Sequence, residues 1–451
     1  MMNILWFSLS PCGSLRMNNN ARVIQGWMIS LEDEVKKLVN VKLSVSYISS
    51  EEKPPFEYDG VNYFPVCRKI PQNGMKRVLA RLKSYRKQDE EILPKLLNVV
   101  RTVKPDLIHI HGTEECFGLI QDVVKDIPIV FSIQGLIAPY KEKYFSGMPY
   151  HEVKRYEPVY KKIRQLSVVN DYKSFCYRAE RENGYLSKAK YVFGRTFWDK
   201  DCTLALNLNR KYYVVNEILR NEFYQKRWNK TKFDSRLKLV STISGGIYKG
   251  YETVLKTCRL LSEYSGVDYE WHIAGYDKNS KWVKIAEKIT KVKLTDYPIV
   301  FHGRINADKL SDLLLSSDIY VHVSHIENSP NSVCEAMILG MPVIASYAGG
   351  TVSLLHDGEE GILVQDGDPY VLAGTIIDLW QNQDIAIKIG TTARDKALYR
   401  HDKNKIVNEL VNGYQMILVD FSSKSNNEKI INSSCSIHGA MERKQSKLYE
   451  K

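Results

Sequence analysis

Ser324-His-Ile-Glu-Asn-Ser-Pro-Asn-Ser-Val-Cys-Glu-Ala-Met-Ile-Leu-Gly-Met-Pro-Val-Ile-Ala-Ser346 runs from the end of an apolar strand, through a polar loop, into a helix and out to a second strand. Pro330 suits the opening of a helix, and Asn331 and Ser332 follow in its first turn. Backbone N–H groups there have no partner inside the helix, so they bind anions such as a diphosphate, or sugar hydroxyls. Glu327 falls in the loop, and Glu335 stands eight residues further on, about one turn into the helix. Both carboxylates can face one cleft, and a carboxylate accepts hydrogen bonds from vicinal hydroxyls, which suits a ribose or a hexose. Paired glutamates also arise by chance on charged surfaces. The flanking strand, the Pro-Asn-Ser, Glu-Ala-Met and Gly-Met-Pro elements and the Gly349-Gly350 pair set this one apart.

Outward from this segment, strands alternate with helical patterns. In the second half, Leu237–Ser244, Glu270–Gly275, Pro298–Gly303, Ile319–Ser324, Pro342–Ser346 and Gly361–Val364 read as strands, with helices near 251–264, 279–290, 306–316, 331–340 and 368–382. In the first half, strands are expected at Asn3–Ser10, Val41–Ile48, Pro105–Gly112, Ile127–Gly135, Tyr191–Thr196 and Lys211–Leu219, with a helical pattern over 75–102. Such alternation predicts parallel sheets covered on both faces: an α/β chain of two Rossmann-like domains facing across a cleft. The expected organisation is an acceptor domain over 1–220, a sugar-nucleotide domain over 221–400, a helix over 401–421 that crosses back to the first domain, and a disordered tail over 422–451, rich in Ser, Asn, Lys and Glu. In open sheets of this kind ligands bind beyond the carboxyl ends of the strands, so the residues just after each strand are the candidates.

The Glu-x7-Glu segment resembles the signature of retaining GT-B glycosyltransferases of family 4, also known as group 1. Ser244-Gly-Gly-Ile-Tyr-Lys-Gly250 is similar to that family's glycine loop, and a lysine among glycines lets ammonium and backbone approach phosphates closely. The resemblance implies that Lys249 and Gly246 meet the donor diphosphate. It implies that Glu335, Asn331 and Ser332 hold the donor, and that Glu327 contacts the transferred sugar. Gly303 and Arg304, in Phe301-His-Gly-Arg-Ile305, match strand-end positions that line a nucleotide base or simply pack. Gly349-Gly350 would sit near the donor sugar. The family implies retention at the anomeric carbon, a nucleotide-diphosphate sugar as substrate with no other cofactor, and no metal. Two departures stand out. An arginine that often precedes the lysine has no clear equivalent here, and a histidine often found after a first-half strand is Gln134.

The first half is less regular. His111 ends one strand and is the alternative acid or base, although a strand-end histidine also serves packing. Gln134, Gly135 and Gly26 are expected on the acceptor side, while Gly26-Trp27 also resembles the family's glycine-containing loop near the donor. Arg195, in the cluster Gly194–Asp199 with Asn216–Arg220 and Phe223-Tyr224, would reach a phosphate at the cleft or lock the domains through a carboxylate. This cluster resembles a bacterial subgroup acting in capsule and other surface-polysaccharide pathways. The implied function is transfer of a sugar to a saccharide or lipid-linked saccharide acceptor in capsule, exopolysaccharide or lipopolysaccharide biosynthesis. A non-catalytic GT-B scaffold or sugar-nucleotide-binding subunit is the alternative.

Composition agrees with a folded chain: of 451 residues, 44% are hydrophobic and 26% charged. No apolar run is long enough to span a membrane, and the start of the chain reads as a strand, not a signal peptide. The eight cysteines, Cys12 to Cys435, are scattered without a Cys-x-x-Cys pair, which fits a reducing cytoplasm. A net charge of +12 attracts anions. No nucleic-acid-binding module is present, so no specific nucleic acid is expected. The basic stretch Met75–Lys87 reads either as a helix lying on the anionic inner face of the cell membrane or as a solvated helix covering the core.

Overall fold

The computed structural model describes residues 1–17, 26–68, 85–163 and 166–423. Two sheets organise it. The first has the order β3-β4-β2-β1-β5-β6-β7-β8: β1 Met2–Ser8, β2 Val41–Ser49, β3 Phe56–Tyr58, β4 Val61–Cys67, β5 Leu107–His111, β6 Ile129–Ser132, β7 Tyr191–Gly194 and β8 Lys211–Val214. Only β3 runs antiparallel to its neighbour. The second, all parallel, has the order β11-β10-β9-β12-β13-β14: β9 Leu237–Thr242, β10 Tyr269–Ala274, β11 Ile299–Gly303, β12 Ile319–His322, β13 Val343–Tyr347 and β14 Ile362–Gln365. Their apolar runs follow from burial on both faces: Ile4 to Phe7 in β1 and Ile319 to Val321 in β12 are fully buried.

In each sheet the strand order reverses beside its first strand, at β1/β5 and at β9/β12. A crevice opens there, because the loops after the two strands leave in opposite directions. Ser8 to Met17 and Gly112 to Glu115 form the first crevice, and Ile243 to Gly250 and Val323 to Pro330 the second. The segment at 324–346 folds as its pattern predicts, as loop, helix Asn331–Leu339 and strand β13.

One hairpin was not foreseen. Asp59 and Gly60 both take positive φ, 52° and 77°, the conformation of a tight hairpin turn, and they fold β3 onto β4. Pro65 inside β4 and the three-residue length of β3 hide the alternation that marks a strand.

The two cores do not divide where the sequence divides. Ile137, Tyr140, Tyr144, Val153 and Phe175, from the first half, pack into the core of the second sheet. The polar stretch 221–236 is sewn to the same core by its aromatics: Phe223, Trp228 and Phe233 are buried, and the Trp228 indole donates to the Ser317 carbonyl at 2.8 Å. A helix over 403–423 returns to the first sheet, placing Ile406, Leu410, Tyr414 and Ile417 in its core. There Tyr414 accepts a 2.9 Å hydrogen bond from Trp6. Of the basic stretch 75–87, residues 75–84 lie outside the described residues, as do 424–451 of the tail and Cys435; Ser422 and Ser423 belong to the returning helix. The seven described cysteines are free, and no described helix is long and apolar enough to cross a membrane.

Candidate functional site

The two crevices face each other across one cavity of about 610 Å³. From the second half, the opening turn of helix Asn331–Leu339 forms one wall. Pro330 precedes it in extended conformation and no side chain caps it, so its first N–H groups remain available to an anion. Asn331 and Ser332 line the cavity, with Glu335 behind them. Beside this turn, Ile247–Lys249 form a short 3-10 turn that presents Lys249. The next residue, Gly250, has φ 75°, and a Cβ there would lie 1.9 Å from the Val323 carbonyl oxygen. Only glycine allows the lysine loop to approach the strand-end loop so closely.

Both glutamates are engaged. Glu327 pairs with the Lys249 ammonium and accepts from Ser324 Oγ at 3.3 Å. Burial disfavours the charged lysine, but Glu327 and Tyr248 outweigh it and raise Lys249 above the ordinary lysine value. Glu335 receives a two-pronged hydrogen bond from Arg220, Nε and Nη2 each at 2.7 Å. Burial raises the Glu335 carboxyl and Arg220 works against it. Such a fork is the strong form of the carboxylate–guanidinium pair. Gly349 and Gly350 do not line the cavity. They clamp the Glu327 backbone from behind, Gly350 N–H donating to the Glu327 carbonyl at 2.8 Å, and a Cβ on Gly349 would lie 2.1 Å from that oxygen.

The first half supplies Gly26, Trp27, Glu114, Gln134, Gly135, Tyr140 and Arg195. Gly26 precedes the helix Trp27–Val35. Arg195 lines the cavity and pairs with a carboxylate of its own half: its Nε lies 3.4 Å from Glu217 Oε2, and its guanidinium carbon stands 4.3 Å above the Trp27 ring. Glu217 in turn accepts from Ser329 Oγ at 2.7 Å. Burial pushes Glu217 up, but Arg195, Arg400 and His401 outweigh it and hold the carboxyl at about 2. Glu217, Cys334 and His401 are residue types that ligate metals and they converge here. The two guanidiniums already neutralise the one carboxylate, so a cation would meet net repulsion. Asn328 completes the lock. It accepts from Thr196 Oγ1 at 2.6 Å and donates to Asp199 at 2.9 Å and to the Gln134 carbonyl at 3.3 Å.

Three expected site residues fall elsewhere. His111 is buried below the cleft, its ring stacked 3.7 Å from that of His109 and edge-on to Trp6 at 4.6 Å. Among the described residues neither of its ring nitrogens has a hydrogen-bond partner, and burial pushes its pKa well down, so it packs as a neutral ring. Gly246 faces a separate 270 Å³ depression beside Tyr144, Tyr248 and Trp282, and a Cβ on it would lie 2.6 Å from the Tyr248 ring. Gly303 turns the chain at φ 61°, and its neighbour Arg304 lines the cavity instead. Glu114 and Tyr140 were not among the sequence candidates, and Arg220 entered only as the end of the Asn216–Arg220 cluster. Glu114 follows Gly112 at a strand end, the position the crevice rule favours. Arg220 had no such signal, since its role comes from meeting Glu335 across 115 residues.

Two parallel sheets with their crevices face to face define the GT-B fold. Among solved structures, sucrose-phosphate synthase of Thermosynechococcus elongatus superposes with a TM-score of 0.65 at 15% identity, covering 93% of this chain and 100% of that one. HepE of Anabaena, in complex with UDP and glucose, superposes with a TM-score of 0.60 at 17% identity, covering 92% of this chain and 100% of that one. Residues 223–396, the second sheet and its helices, match the family described as glycosyl transferases group 1. Among curated relatives, the amylovoran biosynthesis glycosyltransferase AmsK of Erwinia amylovora is 26% identical over 152 residues, 33% of this chain and 37% of that protein. The chain thus matches little more than a third of that relative's length.

Proposed function

We propose that this chain is a glycosyltransferase that moves a sugar from a nucleotide-diphosphate sugar to a saccharide or lipid-linked saccharide acceptor, with retention at the anomeric carbon. The supporting observation is the convergence of Lys249, Glu327, Glu335 and an uncapped helix N-terminus on one cavity. Glu335 holds the ribose hydroxyls. Lys249 and the helix N–H groups stabilise the diphosphate as the bond to the sugar breaks. Arg220, beside Glu335, supplies the second cation that the lysine loop lacks. The charges that meet the leaving group are then the protein's own, and no metal is needed. Donor binding exchanges the resting pairs Lys249–Glu327 and Arg220–Glu335 for contacts to the ligand. The acceptor lies against the first half, and alignment of the two substrates lowers the barrier. The segment matching the amylovoran biosynthesis glycosyltransferase supports a place in capsule, exopolysaccharide or lipopolysaccharide assembly.

The test is a thermal-shift screen against UDP-, GDP- and ADP-sugars, with Glu335→Ala and Lys249→Ala alongside. Stabilisation by one nucleotide class, lost in both variants, is expected. No shift with any sugar nucleotide would sink the donor assignment. Binding without donor hydrolysis or transfer would indicate a non-catalytic subunit. The anomeric configuration of the first-formed product, read by NMR, tests retention.

A further inference from the structure

The three buried or partly buried carboxylates Glu327, Glu335 and Glu217 at the cleft are each matched by a cation: Lys249, Arg220 and Arg195. Glu114 also lines the cleft, yet it has no ion pair among the described residues, and its Oε2 is buried without any hydrogen-bond partner. Burial, with Glu115, pushes its carboxyl up to about 6, against its own backbone N–H, Arg178 and Arg195. A desolvated acceptor atom left unsatisfied is unfavourable unless a ligand completes it.

The backbone makes room for this carboxylate. Gly112 ends β5 with φ 89°, and a Cβ there would lie 2.3 Å from Glu114 Oε2 and 3.5 Å from Gln134 Cδ. Glycine lets the Glu114 side chain fold back over the strand end beside Gln134. Trp27 and Gln134 share the same wall of the cavity. Arg195, the cation at this wall, is already stacked on Trp27 and paired with Glu217.

We propose that the wall made by Trp27, Glu114 and Gln134 binds a neutral sugar ring of the acceptor, with the Glu114 carboxylate accepting hydrogen bonds from its hydroxyls. This rests on the reading of the cleft as a sugar-transfer site. An aromatic surface beside hydrogen-bonding groups suits a ring that is apolar on its C–H face and hydroxylated at its edge. A carboxylate without its own cation repels an anionic group, so a uronate or phosphate at this position is disfavoured. Selection against such an acceptor comes from the unpaired charge as much as from fit.

Saturation-transfer NMR tests this on the full chain, with the propyl β-glycosides of glucose, galactose and mannose set against propyl β-glucuronide and β-galacturonide, each with and without UDP. At least one neutral glycoside is expected to bind, with the uronides about tenfold weaker or silent. Glu114→Gln should weaken the neutral glycoside about tenfold, and Trp27→Ala should abolish its signal. Circular dichroism and the UDP thermal shift report whether each variant is folded. A uronide binding as well as the neutral sugars would overturn the proposal. So would a Glu114→Gln protein that binds like the wild type, or no glycoside binding to a wild type that binds UDP. If the wild type binds no nucleotide but does bind a glycoside in a Glu114-dependent way, the donor assignment fails and this subsite stands.

Discussion

The two walls of the cleft are built differently. The charged groups Lys249, Glu327 and Glu335 of the second-half wall come from two short contiguous stretches, 244–250 and 324–335, each following one strand of a single crevice, and Ala274, Gly275, Arg304 and Ile305 at two further strand ends complete that wall. The first-half wall is gathered from Gly26, Glu114, Gln134, Tyr140 and Arg195, which lie on four separate stretches, one of which, 134–140, reaches into the core of the opposite sheet. A contiguous wall binds through backbone and can be read as a motif. A gathered wall binds through side chains that only packing brings together. Changes to the first should therefore act steeply and at one place, and changes to the second more weakly and through the joint between the halves.

The largest effect is expected for Lys249→Ala. It removes a cation from the leaving diphosphate and strands Glu327, so kcat/KM for transfer should fall by roughly a thousandfold, as loss of one preorganised charge-stabilising group does. A fall under tenfold would remove the lysine from the chemistry. Next is Gly250→Ala, which combines φ 75° with a 1.9 Å approach to the Val323 carbonyl. The left-handed strain and the forced shift together should cost about 2–4 kcal/mol, read as a fall in Tm and in denaturant midpoint. An unchanged Tm would show that the loop can relax.

A third prediction concerns His325, held between Glu252 at 2.5 Å and Asp366 at 3.2 Å. Burial lowers its pKa, but the two carboxylates outweigh it and push the imidazole up to about 9. The folded pKa lies above the unfolded one. The stabilisation is therefore complete below about pH 6.5 and is lost as pH rises towards 9, on the order of 2–3 kcal/mol. Urea denaturation from pH 6 to 9 should show that decline, and His325→Gln should flatten it. An unchanged slope in the variant would assign the decline to other groups. The smallest effect is expected at the joint. Asn328→Ala removes the hydrogen bonds to Thr196, Asp199 and Gln134, which should cost about 1–3 kcal/mol. It should raise the acceptor KM more than the donor KM, because the Gln134 loop loses its tie. Equal changes in both would mean that the two walls respond as one.

The strands were legible because burial on both faces leaves long β-branched and apolar runs; Ile319–His322 and Leu237–Thr242 fall inside the spans the sequence marks. The β3–β4 hairpin was not, although Asp59-Gly60 is a turn signal, because Pro65 and three-residue pairing leave too little alternation. At the site, Glu327, Glu335, Lys249, Asn331 and Ser332 were legible as positions and do share one cavity. His111 lies below the cleft, because a histidine two residues beyond another on the same strand points to the same face, and here that face meets Trp6 edge-on at His111 and Tyr414 of the returning helix edge-on at His109. Arg220 was seen only as part of a cluster, since nothing local marks a guanidinium whose partner lies on a distant helix.

By itself, the sequence determined two parallel sheets, the crevice beside β9 and β12, and the identity of the glycine-borne lysine and paired glutamates. Those depend on periodicity and on backbone freedom within a few residues. The tertiary structure decided which charges are already paired, which carboxylate is left without a cation, and how the halves are joined through Glu217 and Asn328. Those depend on distances between residues far apart in the chain, and electrostatic and hydrogen-bond energies fall off within a few ångströms, so only packing can set them.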